Sequence, residues 1–187
     1  MNVILIGMKH CGKSTLGAAL AARWGCRFHD VDRLMEEQHA CATGQRLSVR
    51  EIFATRGEAA FGELEADVVA ALYLALTGAT DAHVVALGGR TVLNERIGAL
   101  LSGLGTIVYL AVSPEEMFAR VLKGGLPPFL DKEDPVMQFL ELYKERVPYY
   151  EKFADLTVHL DGLDIMAATE KLCRALETYQ TKPERPR

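Results

Sequence analysis

The chain has 187 residues, 49% hydrophobic and 25% charged, the proportions of a globular domain long enough to bury a core without staples. Its net charge of −4 excludes a global field for nucleic acid, and no window approaches the roughly 20 apolar residues of a membrane span. Cys11, Cys26, Cys41 and Cys173 form no CxxC pair and no metal-ligand spacing, and read as the reduced thiols of a cytoplasmic protein; the first apolar run is too short for a signal peptide and lacks a basic leader.

Val3-Ile4-Leu5-Ile6 reads as a buried parallel strand. It runs into Gly7-Met8-Lys9-His10-Cys11-Gly12-Lys13-Ser14, which fits the phosphate-loop pattern G-x-x-x-x-G-K-[ST], and the alanine-rich stretch behind it predicts a helix over 13–24. Cys26–Asp30 reads as a second strand, 33–40 as a short helix, and 48–76 as a long helix opened by a Ser48–Glu51 capping box and interrupted at Gly57. Val84–Leu87 predicts a buried strand ahead of Gly88-Gly89, 94–102 a helix, and Thr106–Val112 a fourth strand. Ser113-Pro114 and Asp134-Pro135 are cap-then-proline starts for helices over 114–123 and 135–152, before a fifth strand at Leu156–Leu160 and a last helix over 163–179.

This alternation predicts an α/β fold, a doubly wound parallel sheet with helices on both faces. It forms one domain over 1–180, with a frayed tail at 181–187. Residues 123–134 hold two glycines and two prolines between two helices, more chain than a connector needs, and read as a lid that closes over substrate and excludes water.

Strand, loop and helix in this order point to a nucleoside triphosphate. The helix N-terminus offers free N–H groups and positive dipole charge to phosphate, Lys13 reaches the outer phosphates, and the Ser14 hydroxyl holds Mg²⁺. In Phe28-His29-Asp30-Val31-Asp32 the two acids stand two apart on an extended segment at the carboxyl end of a strand, where ligands of parallel sheets collect. One carboxylate there suits metal-bound water and the other a nucleophilic hydroxyl; the structural alternative is that Asp32 caps the helix beginning at Arg33.

Taken in order, these residues resemble the shikimate kinases. The series is the loop ending Gly12-Lys13-Ser14-Thr15, then Phe28-His29-Asp30-Val31-Asp32, Glu51-Ile52-Phe53, Gly57-Glu58 and Phe61. It continues with Leu87-Gly88-Gly89, Val108-Tyr109-Leu110, Arg146-Val147-Pro148-Tyr149-Tyr150 and Ala154-Asp155, spanning about residues 2–160. The resemblance implies a nucleoside-monophosphate-kinase-like P-loop fold, three layers α/β/α around a five-stranded parallel sheet. It implies ATP with Mg²⁺ as phosphoryl donor and a small hydroxylated carboxylic acid, shikimate or a relative, as acceptor. Carried over, Gly7, His10, Cys11, Gly12, Lys13, Ser14, Thr15 and Arg120 bind ATP, and Ser14 and Asp30 hold the metal, Asp30 through water. Asp32 holds the acceptor hydroxyls and takes the proton, Gly88 and Gly89 line the acceptor pocket, and Arg146 pairs with the carboxylate. A monomer or weak oligomer is expected, with no nucleic-acid or membrane partner.

Four departures from the family pattern fall on the site. His10 stands where a loop glycine is usual, and Gly62 follows Phe61 where an arginine would clamp the acceptor carboxylate. Arg90 replaces the third glycine of a Gly-Gly-Gly turn, and Pro127-Pro128-Phe129-Leu130 replaces a lid signature that begins with arginine. The expectation is a retained donor half and a rebuilt acceptor half, with Arg90 replacing the charge missing at Gly62 and Lys123 or Lys132 standing in for the lid arginine. A nucleotide-binding regulator without phosphotransfer is the alternative.

Overall fold

A computed structural model describes residues 1–123 and 134–181 of the chain. Five parallel strands form one sheet: β1 Val3–Ile6, β2 Arg27–Asp30, β3 His83–Ala86, β4 Thr106–Ala111 and β5 Leu156–His159, in the order β2-β3-β1-β4-β5. β1, β3 and β4 are buried along their whole length, as the unbroken apolar runs of β1 and β4 require of strands covered on both faces. The register aligns Leu5 with Ala86 and Ala86 with Asp30, so the carboxyl ends of β1, β3 and β2 finish at one level.

The helices are α1 Lys13–Trp24, α2 Val31–Thr43, α3 Val49–Leu76, α4 Glu95–Leu104, α5 Pro114–Lys123, α6 Pro135–Phe153 and α7 Ile165–Gln180, with a 3₁₀ turn at Thr91–Leu93. α1 packs on β2 and β3 and against α7, while α3 packs between α2 and α4. Gly17 lets α1 approach the sheet, for a Cβ there would lie 2.4 Å from the Phe28 ring. This is the expected three-layer doubly wound architecture, and no helix among the described residues is long and apolar enough to cross a membrane.

The expected break at Gly57 is present, at φ 76° and ψ 173°, inside a helix that opens with the Ser48–Glu51 capping box. The start of α2 departs from expectation. It begins at Val31 rather than Arg33, and Asp30, not Asp32, is the cap, accepting from the N–H groups of Asp32 (3.1 Å) and Arg33 (3.5 Å). Asp32 therefore stands in the first helical turn and not on an extended segment. The 3₁₀ turn after Arg90 was likewise not foreseen. Residues 124–133, which hold most of the expected lid with Pro127 and Lys132, and residues 182–187 of the expected tail lie outside the described residues.

Candidate active site

Three loops meet above the aligned ends of β1, β2 and β3. The first wraps Lys13, whose buried ammonium donates to the carbonyl oxygens of Gly7 and Met8 at 2.9 Å each, holding a full positive charge at the loop's centre. Gly7 (φ 141°) and Gly12 (φ 103°) take backbone conformations that L side chains rarely adopt, and a Cβ on Gly7 would lie 2.9 Å from the carbonyl oxygen of Leu110. His10 holds φ 70°, the one non-glycine with positive φ among the described residues, which accounts for the glycine usual at this place. Its imidazole pKa is lowered by burial and by the charges of Lys9, Lys13 and Arg50. Ser14 and Thr15 lie exposed in the first turn of α1.

Beside this loop a cavity of about 500 Å³ opens between Cys11, Gly12, Thr15, Arg120 and the β5–α7 segment Leu160–Met166. Arg120 donates to the carbonyl oxygen of Cys11 at 3.3 Å and is held from behind by Glu116 at 2.5 Å. Arg120 therefore stands beside the phosphate loop and lines this cavity. The apolar wall from Leu163, Ile165 and Met166 was not singled out beforehand, because nothing but position marks it.

The second and third loops build a carboxylate-lined pocket. A Cβ on Gly88 would lie 2.9 Å from Asp32 Oδ1 and from Thr91 Oγ1 and 3.3 Å from Glu65 Oε1, so only glycine fits between the two acids. Burial raises the pKa of Asp32 and the neighbouring Asp30 charge adds to this; Lys13 and Lys9 oppose it. Glu65 is also raised by burial, against hydrogen bonds from Thr91 Oγ1 (2.6 Å) and Asn94 Nδ2 (3.3 Å). Glu65 escaped the sequence reading, although it carried a signal. It shares the helical stripe of Val68, Val69, Leu72 and Leu76, so an acid stands where the spacing calls for an apolar residue.

Arg146 reaches the same pocket from α6, and its Nε is a buried polar atom without a hydrogen-bond partner. Burial and the charge of Arg90 push its pKa down. Arg90 pairs with Glu58 and lies over the Phe53 ring with Cζ 5.9 Å from the centroid. The two guanidiniums thus stand near enough for their charges to act on one another, with Glu58 offsetting that of Arg90. Tyr150, one turn beyond Arg146, donates to the carbonyl oxygen of Gly89 and stacks on Tyr109 at 5.2 Å, which fixes the third loop against the first.

The oxygen donors at Ser14 and Asp30 suit Mg²⁺ delivered with phosphate and water, since one Asp30 oxygen is engaged as the helix cap and its other remains. Among the described residues no group of three His, Cys, Asp or Glu forms a metal cage of its own.

The family model for shikimate kinase matches residues 9–177. A shikimate kinase of Paracidovorax citrulli is 34% identical over all of this chain and 97% of its own length, and one of Chlorobaculum parvum is 35% identical over 98% and 96%. Among solved structures, the shikimate kinase of Acinetobacter baumannii in complex with shikimate superimposes with a TM-score of 0.82 at 26% identity, covering 97% of this chain and 95% of that one. With the family model matched over residues 9–177 and a relative 34% identical over the whole chain, the chain belongs to the shikimate kinase family.

Proposed function

We infer that the chain is an ATP-dependent kinase that transfers the γ-phosphoryl group to a hydroxyl of a small hydroxylated carboxylic acid, shikimate or a close relative. The observation that carries the acceptor's chemistry is the unpartnered, buried Nε of Arg146 facing the charge of Arg90. A buried guanidinium with an unpartnered Nε, beside a second guanidinium that Glu58 holds, suits a carboxylate, which can take both in directed hydrogen bonds. A regulator that only senses nucleotide has no need of them.

In this reading Lys13, with Gly7, His10, Cys11 and Gly12 around it, holds the phosphates, and the adenosine lies in the cavity by Thr15 and Arg120. Ser14 and Asp30 would hold Mg²⁺, which would supply charge to neutralise the phosphates. Asp32 orients the acceptor hydroxyl and takes its proton. The backbone N–H groups of Gly88 and Gly89 steady the acceptor, and Arg146 and Arg90 hold its carboxylate. Glu65 positions Thr91 and Asn94 behind Asp32. The four unpaired thiols suit a reducing, cytoplasmic setting.

The test is ADP release from ATP and Mg²⁺ over a panel of hydroxylated acids, shikimate included. Turnover with shikimate or a related acid, abolished in Asp32→Asn, is the expected result. Tight ATP binding with no turnover on any acceptor would favour the regulator instead.

A further inference from the structure

We propose that Lys9 places its ammonium on the transferring phosphate, supplying from the phosphate loop the cation that Pro127 leaves missing from the lid sequence. This rests on the kinase reading above. The acceptor oxygen bonds to the γ-phosphorus, the bond to the β,γ-bridging oxygen breaks, ADP leaves with that electron pair, and Asp32 takes the hydroxyl proton. Negative charge lies on the phosphoryl oxygens throughout, and a fixed cation there accelerates transfer by orders of magnitude.

Between Gly7 and Gly12 the loop has four side chains. Met8 is buried beneath Tyr150 (3.7 Å from the hydroxyl) and Cys11 is fully buried against Gly7, which leaves Lys9 and His10 exposed on the outer surface. Lys9 is rooted where the two halves of the site touch. A Cβ on Gly89 would lie 3.0 Å from its backbone N and 3.5 Å from its Cβ. The phosphate must cross this line between the loop and Asp32. Asp32 lies against Gly88, one residue along the same turn, for a Cβ on Gly88 would come within 2.9 Å of Asp32 Oδ1. Lys13 is the cation inside the loop and His10 is held toward its neutral form, so Lys9 is the loop's second cation, on its outer surface. Its four-carbon stem lets the ammonium follow the phosphate. Lys123, at the far end of α5, has no such place beside Gly89.

Lys9→Met removes the charge and keeps the stem's bulk, and Lys9→Arg keeps the charge. Lys9→Met is expected to lower kcat about 100-fold, the cost of one transition-state donor, with ADP affinity and acceptor KM nearly unchanged. Binding of ADP with aluminium fluoride and Mg²⁺, a mimic of the phosphate in flight, should weaken in parallel. Lys9→Arg should restore most of each. A Lys9→Met enzyme with parental kcat, or one that loses ADP and ADP–fluoroaluminate affinity equally, overturns the proposal. If the unsubstituted chain turns over no acceptor, the kinase reading fails, and the fluoroaluminate comparison still decides on Lys9.

Discussion

The donor and acceptor halves of this site are built by different means. The donor side is mostly backbone: glycine conformations, carbonyls around Lys13 and the free end of α1 make a cradle that depends on few side chains. The acceptor side is almost all side chain, with Asp32 and Glu65 from α2 and α3, Arg146 from α6 and Arg90 from a turn. A backbone cradle recognises any triphosphate and tolerates substitution only within its torsional limits. A side-chain pocket can exchange one residue for another from a different element, as we propose for Arg90 in place of an arginine at position 62. The family's departures accordingly concentrate on the acceptor half.

The largest expected effect falls on the donor half. Lys13→Ala should cut phosphotransfer about 1,000-fold for every acceptor alike, read as ADP release, because it removes charge from the phosphates rather than from the acceptor. An acceptor-dependent loss would mean that the two halves are not separable in this way. Next comes the exchange itself. Arg90→Gly should raise acceptor KM about 10- to 100-fold, as losing one charged hydrogen-bonding partner does, and leave ADP affinity unchanged. Adding Gly62→Arg should recover part of it, since a Cβ at 62 meets only Asn94 Nδ2 at 3.7 Å. An unchanged KM in Arg90→Gly would remove Arg90 from the pocket.

The smallest effect is on stability. Burial and Asp30 hold the pKa of Asp32 above its unfolded value, so the fold binds that proton more tightly than the unfolded chain does. Its contribution is then most favourable at acid pH and is lost as pH rises through the raised value. At neutral pH the ionised carboxylate therefore costs stability. Asp32→Asn should raise the Tm of the ligand-free protein by a few degrees, the shift that about 1 kcal/mol gives in a chain of this size, while losing activity. A lower Tm would mean that the carboxylate is favourably paired.

Strand positions, helix order and the phosphate loop could be read from the chain because each rests on local chemistry: unbroken apolar runs, caps, and glycines at fixed spacing. The start of α2 could not. Asp30 and Asp32 are both competent caps, and the choice depends on where β3 ends the sheet pairing of β2. Glu58 as the partner of Arg90 was hidden for a different reason. The two are 32 residues apart, and only the break at Gly57 and the packing of α3 bring them together. Long-range pairs among charged residues leave no periodic trace.

The common finishing level of β1, β3 and β2 has a metric consequence. Neighbouring strands lie about 4.8 Å apart, so the strand that launches the phosphate loop and the strand that ends in Asp30 are separated by about 10 Å, with β3 between them. The sheet thus acts as a ruler laid across the reaction path. The groups from β1 and β2 are held on different strands rather than along one, at a spacing set by hydrogen bonds that no side-chain substitution can stretch.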